Sequence, residues 1–408
     1  MEIVEEAAIH VLEAGGVTSA KGFSAGGMHC GIRKRKDDLG WLVSEVPTSA
    51  AAVYTTNQFQ AAPLQVTRES LQSEKPLQAV CVNSGVANAC TGEQGLKDAY
   101  EMRRAMAEKV NLAEEQVAVA STGLIGDPLP IEKIKAGFQS IGEENDQTVE
   151  RFEQAILTTD TCTKHVAVQV EIDGKTVTVG GAAKGSGMID PNMATMLAFI
   201  TTDASVEESA LQNVLKQGTN RTFNMITVDG DSSTNDMVLV MANGKAETET
   251  LTEDHPSWSA FVKAFEKVSE QLAKEIARDG EGATKLVEVH VKGATTDQAA
   301  RSIGKEIISS NLVKTAIYGS DPNWGRIVCA IGYGDEPIDP EKVTVSLGDV
   351  TVVDQGLPIP FDEEKAKQPL QQETVPIYVD LHLGDGTATA WGCDLTYEYV
   401  RINAAYRT

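Results

Sequence analysis

The stretch KGSGMIDPNMATMLAFITTDA, beginning at Lys184, leads a Gly-rich loop into an apolar run, and one hydroxyl, Thr195, stands at the joint between Ala194 and Met196. The plain reading is that Thr is a good strand residue and a loop must end somewhere. The chemical reading makes Thr195 a nucleophile that becomes usable once the chain is cut before it. A threonine without a histidine needs a base, and the α-amino group of a chain that begins at Thr195 supplies one. An α-amine titrates at about 7.7–8.0 against about 10.4 for lysine, so a substantial minority of it is neutral near neutral pH. The same hydroxyl can make the cut, attacking the Ala194 carbonyl in an N-to-O acyl shift that ends in ester hydrolysis. Such a shift requires a strained, exposed bond, and the IDPN turn with Gly185 and Gly187 is sequence of that kind. Small Ala194 leaves room, and β-branching restricts the Thr195 rotamer.

Acyl transfer also needs donors for an oxyanion. Thr122 and Gly123 follow a short apolar strand, where a glycine lets backbone N–H groups turn into a cavity; a simple Gly turn fits them too. One such donor is worth about 2.7–4 kcal/mol of transition-state stabilisation. Other candidates are weaker. ANACTG (87–92) carries no defined chemistry, and DGDSSTND (229–236) has the acid spacing of a metal loop but no distal Glu, which favours a hydrogen-bonded turn. No G-x-x-x-x-G-K-[ST] or G-x-G-x-x-G occurs, and His165 and His290 sit in strand-like runs as ordinary imidazoles.

The elements that must position these residues alternate between strand and helix. Residues 78–83 and 116–120 read as strands on either side of a helix over 96–110. Asp173-Gly174 between 165–172 and 175–179 reads as a hairpin, because both turn positions favour positive φ. The section 204–283 reads helix, strand, strand, helix. Its last helix carries the stripe Trp258, Phe261, Phe265, Val268, Leu272 and Ile276 between Pro256 and Gly280. Strand signals dominate beyond 284, at 342–347 with 350–353 and at 377–383 with 387–391. The expected division is a catalytic α/β core (1–203), a helix-strand-strand-helix lobe (204–283) and a C-terminal mixed α/β domain rich in strands (284–408).

With 35 basic and 59 acidic residues the 408-residue chain has a formal charge of −24, which repels a phosphate backbone and argues against nucleic-acid partners. The RKRK run (33–36), followed at once by two aspartates, reads as a solvated turn. An acidic N-terminus and the lack of an apolar run near the roughly 18 residues of a membrane span suggest a cytoplasmic, unanchored protein. The six cysteines have no zinc spacing, so no metal is expected, and most read as buried, reduced thiols.

Taken together, GFSAGGMHCGIRKRK, NSGVANACTG, ASTGLIG, TTDTCTK, the block around Thr195, VDGDSSTND, ARDGEGATK, GSDPNWGRI and the final RINAAYRT resemble the ornithine acetyltransferases, or bifunctional glutamate N-acetyltransferases, of arginine biosynthesis. Nearly the whole chain is covered. The resemblance implies self-cleavage between Ala194 and Thr195 into an α chain (1–194) and a β chain (195–408) that assemble as α2β2. It implies a ping-pong transfer of acetyl from N2-acetylornithine to L-glutamate through an acetyl-Thr195 ester, with Thr122 and Gly123 as oxyanion hole. Its substrate contacts fall on Thr158, Lys184, Thr195, Glu281, Asn403 and Thr408. Lys184 and Glu281 suit a substrate with one carboxylate and one ammonium, although Asp279 could offer the same charge as Glu281. No cofactor is implied, and whether acetyl-CoA also serves as donor is open. The implied fold is an αββα sandwich resembling N-terminal-nucleophile hydrolases with a different topology. The sequence departs from the family's NSGNANACTG at Val86, which would alter rate or preference if that position faced the cavity. The alternative reading is a self-processed Thr-nucleophile amidohydrolase or aminopeptidase, in which water replaces glutamate.

Overall fold

The computed structural model describes residues 8–142, 146–190 and 196–404. Ala194, Thr195 and Thr408 lie outside the described residues. The chain divides into two units: Met1–Gly185 with Asn192–Thr219 and Ser232–Leu272, and Ser186–Pro191 with Asn220–Asp231 and Ala273–Thr408.

The first unit carries β1 (His10–Val11), β2 (Phe23–Met28), β3 (Leu39–Ser44), β4 (Ser49–Tyr54), β5 (Ala79–Val86), β6 (Val117–Leu124), β7 (Lys164–Ile172), β8 (Lys175–Lys184), β9 (Leu197–Thr202) and β10 (Met237–Ala242). Its helices are α1 (Ala62–Leu71), α2 (Gly92–Val110), α3 (Ile131–Ser140), α4 (Val149–Ala155), α5 (Glu208–Arg221) and the first part of α6 (Trp258–Arg278). The strands form a six-stranded sheet, β1-β7-β8-β9-β10-β4, and a four-stranded sheet, β2-β3-β5-β6. Asp173 and Gly174 turn β7 into β8 with φ of 53° and 71°, as the hairpin signal requires.

One apolar core lies between these sheets, where Leu42, Val80 and Ala118 of one face Leu197, Phe199 and Leu239 of the other. Phe152 of α4 enters it and meets Phe199 edge-on at 5.7 Å. A second core lies under the other face of the four-stranded sheet, against Met102 and Met106 of α2 and Phe138 of α3. On the far side of the six-stranded sheet α6 packs its Val268 and Leu272 on Gly181 of β8, and Phe265 touches Gly218 of α5. The stripe read from the sequence is thus the buried face of α6. The layers run helix, sheet, sheet, helix, the αββα arrangement expected.

The second unit carries β11 (Leu286–Ala294), β12 (Thr344–Leu347), β13 (Val350–Asp354), β14 (Leu357–Pro358), β15 (Thr374–Asp380) and β16 (Gly386–Cys393), with helices α7 (Asp297–Ser309), α8 (Asn311–Tyr318), α9 (Trp324–Tyr333), α10 (Glu363–Leu370) and α11 (Tyr397–Ala404). Its sheet order is β14-β13-β12-β15-β11-β16, and α7 packs on β11 and β16.

Two expectations are corrected. Between 204 and 283 the described chain forms one extended strand, β10, because residues around Leu251 make an isolated bridge to Val206 and no ladder. Only Cys81 and Cys393 of the six free cysteines are buried, while Cys90, Cys162 and Cys329 are exposed at turn and helix-surface positions. No helix among the described residues is long and apolar enough to cross a membrane.

Candidate active site

Lys184 ends β8 and pairs with Leu197 at the start of β9, which pairs in turn with Met237 at the start of β10. Three strand ends therefore lie side by side, two residues beyond the position of Thr195 in the chain. Leu197 and Met237 point into the core between the sheets, and side chains directly opposite share a face, so Lys184 faces the same space. Its ammonium donates to the Thr158 hydroxyl at 2.8 Å and to the Thr122 hydroxyl, near the end of β6, at 3.4 Å. An ammonium only donates, so both hydroxyls accept here and keep their own hydrogens for other acceptors. Thr158 directs its hydrogen towards Asp160 at 3.5 Å.

Asp160, in TTDTCTK, is the residue that sequence reasoning passed over. Its side chain is fully buried and accepts from Lys164 Nζ at 2.8 Å, the Gly185 amide at 2.6 Å and the Thr158 amide at 2.9 Å, with Lys184 Nζ at 3.9 Å. Burial alone would raise this carboxyl, but Lys184 and Lys164 outweigh it and hold it below the usual carboxylate range. One carboxylate thus fixes Lys184, the residue after it and the Thr158 loop together. The available signal was an aspartate among threonines with a lysine four residues on.

Gly123 explains why a glycine stands beside Thr122. It has a φ of 135°, and a Cβ there would sit 2.2 Å from the carbonyl carbon of Gly85 across the β5–β6 ladder. DGDSSTND acts as the hydrogen-bonded turn expected: Asn235 donates to the Ala87 carbonyl at 2.6 Å and to the Ser121 carbonyl at 2.8 Å, tying β10 to the ends of β5 and β6. ANACTG is structural as well, with Asn88 at positive φ donating to Gly95 and accepting from Thr91 at the start of α2. Val86 belongs to the apolar cluster under α2 and α3, so the departure from the family motif contributes packing there.

Asp236 is the second buried acid of the region. Burial pushes its carboxyl well above the usual range, although Lys184 and the Met196 amide favour the charged form, and its Oδ2 is an orphan acceptor. The RKRK reading needs correction. Lys34, Arg35 and Lys36 are exposed, but Arg33 donates to the carbonyls of Leu157 at 2.7 Å and Thr158 at 3.1 Å, and so braces the Thr158 loop.

In the second unit the Glu281 carboxylate accepts from Asn403 on α11 at 2.7 Å. Glu281 also covers Gly187, where a Cβ would come within 2.5 Å of its carboxyl group. The predicted residues therefore fall into two groups, Thr122, Gly123, Thr158 and Lys184 in one unit and Glu281 with Asn403 in the other. The histidines serve elsewhere: His165 pairs with Glu153 at 2.7 Å, and His290 pairs with Glu288 and stacks on Tyr378. Among the described residues no group of three His, Cys, Asp or Glu side chains is arranged to hold a metal.

Comparisons with known proteins agree with one another. The chain is 58% identical over 408 residues to the arginine biosynthesis bifunctional protein ArgJ of Oceanobacillus iheyensis, with all of both chains covered. It is 59% identical over 405 residues to the protein of that name from Geobacillus kaustophilus, covering 99% of each. A crystal structure of the protein so named from Bacillus halodurans is 56% identical, with a TM-score of 0.50, and matches 51% of this chain and 98% of its own. The family model described as the ArgJ family matches residues 24–408, and the chain belongs to that family.

Proposed function

We infer that this chain is a bifunctional ArgJ enzyme, an acetyltransferase of arginine biosynthesis that moves acetyl from N2-acetylornithine to L-glutamate. The single observation that carries the mechanism is the buried Lys184, bonded to Thr122 and Thr158 and paired with Leu197, where β9 begins two residues after Thr195. Thr195 Oγ attacks the acetyl carbonyl, and its proton passes to the α-amine of the newly made β chain. The oxyanion is met by Thr122 and Gly123. Collapse breaks the amide bond, ornithine leaves with the proton on its amine, and an acetyl-Thr195 ester remains. The glutamate amine then attacks the ester, and N-acetylglutamate departs as the Thr195 hydroxyl is restored. Lys184 supplies the cation for a substrate carboxylate and Glu281 the anion for the ornithine ammonium, with Asn403 and Thr408 as the further substrate contacts that the family resemblance implies.

Self-cleavage before Thr195 and assembly as α2β2 belong to the same reading. The half-length match to the Bacillus halodurans chain supports it, since a cut there would divide this chain nearly in two. The relatives' shared description as bifunctional supports a second activity, acetylation of glutamate from acetyl-CoA. The test is a transfer assay with N-acetylornithine alone and with glutamate. Ornithine release limited to about one equivalent per site without glutamate, and turnover with it, is the expected ping-pong result. Continuous ornithine release without glutamate would instead mark an amidohydrolase.

A further inference from the structure

The loop that leads towards Thr195 is held at each of its residues from 186 to 190, all within the second unit. Ser186 donates to the Asp279 carbonyl at 2.6 Å and accepts from the Glu281 amide at 2.9 Å. Gly187 lies under the Glu281 carboxyl group. The amides of Met188 and Ile189 point at the two oxygens of one carboxylate, Asp229, at 2.7 and 2.8 Å, and Met188 takes a positive φ of 56° to do so. The Ile189 carbonyl accepts from the Val228 amide at 2.7 Å and from the Thr227 hydroxyl at 3.0 Å. Asp190 pairs with Lys305, which also donates to the Ile226 carbonyl at 2.8 Å. Asp229 itself is steadied by the Tyr399 hydroxyl at 3.2 Å and the Asp231 amide at 3.3 Å.

We propose that Asp229 is a positioning residue for the self-cleavage before Thr195, acting by anchoring the chain on the acyl side of that bond. The proposal rests on the self-processing reading above. An acyl shift requires the hydroxyl and the carbonyl carbon to be held in near-attack geometry, and every conformer removed from the preceding loop raises the share of chains that react. A paired set of amide-to-carboxylate bonds is a strong anchor because the acceptor is charged and bidentate. Asp229→Asn keeps the size but presents an NH2 group to one of the two amides, where donor meets donor. Once the bond is cut, the anchor has no further part in the shift.

The experiment follows cleavage of the full chain by intact mass over time, beside acetyl transfer per cleaved molecule and the melting temperature. Asp229→Asn is expected to slow cleavage about tenfold or more, with transfer per cleaved molecule within about twofold of wild type. Tyr399→Phe, which removes one support of the carboxylate, is expected to slow cleavage less, and it decides the question if Asp229→Asn fails to fold. Wild-type cleavage kinetics in both variants would overturn the proposal, as would a loss of transfer per cleaved molecule as large as the loss of cleavage. A wild-type chain that is never cut would overturn the self-processing reading itself.

Discussion

The two groups of site residues are held by opposite means. Lys184 stands at a strand end in the first unit, buried, bonded to two hydroxyls and tied through Asp160 to a second buried lysine and two backbone amides. Glu281 in the second unit is also buried, but the partner that meets its carboxylate, Asn403, is neutral and sits on the exposed final helix. A strand end locked by buried charge keeps its geometry without ligand. A carboxylate met by a neutral amide can exchange that partner for a substrate ammonium at small cost, because the amide can turn to another group of the substrate. Under the proposed function, Lys184 would be the fixed charge and Glu281 the adjustable one.

The largest effect that would sharpen this contrast comes from Asp160→Ala. Removing the carboxylate takes away the buried acceptor that the Lys164 ammonium and the Gly185 and Thr158 amides share, so the expected loss is about 3–5 kcal/mol of stability at neutral pH in urea unfolding. Because the folded-state carboxyl lies below its unfolded value, this contribution is present above the unfolded value, about 3.9, and fades as pH falls through the folded one. The gap between variant and wild type should therefore narrow in acid; a gap that stayed constant would mean that Asp160 acts through packing.

Asp236 has the opposite sign. Its folded carboxyl is raised by burial, so its contribution is present below the unfolded value and is lost as pH rises through the folded one. Asp236→Asn, which carries no such titration, should gain melting temperature relative to wild type between pH 5 and pH 8. A difference that does not change with pH would place the wild-type charge in a better-solvated setting than its burial indicates. The smallest effect is expected from Asn403→Ala: a rise of about five- to tenfold in KM for N-acetylornithine, equivalent to about 1–1.5 kcal/mol, with the melting temperature unchanged. A fall in kcat as large as the rise in KM would break the comparison, because it would make the second-unit group part of the fixed machinery.

Much of the local structure was legible in the chain. The Asp173-Gly174 turn and the apolar stripe of α6 follow from two-residue φ preferences and a 3.6-residue period, and both are properties of neighbouring residues. Sheet order was not legible: β4 pairs with β10 across nearly 200 residues, and a hydrophobic alternation says which face is buried without naming the partner. The helices α7, α8 and α9 fill 297–333, in a region read as strand-rich, although α7 carries a one-sided apolar face through Ala299, Ala300, Ile303, Ile307 and Ile308, a helical signal that the flanking strand runs overshadowed. At the site, the hydroxyl and glycine motifs drew attention to Thr122 and Gly123, and the family resemblance to Lys184. Asp160 and Arg33 escaped it because their roles depend on what the fold brings to them: a lysine from β8 for one, two carbonyls more than 120 residues away for the other.

The central claim is that Thr195 both cuts the chain and carries the acetyl group, and its most direct test is the intact mass of purified wild-type protein beside Thr195→Ala. The account predicts two fragments from the wild type, 1–194 and 195–408, and a single uncut chain without transfer activity from the variant. An uncut wild type that transfers acetyl, or a Thr195→Ala chain that is cut at the same bond, would contradict it.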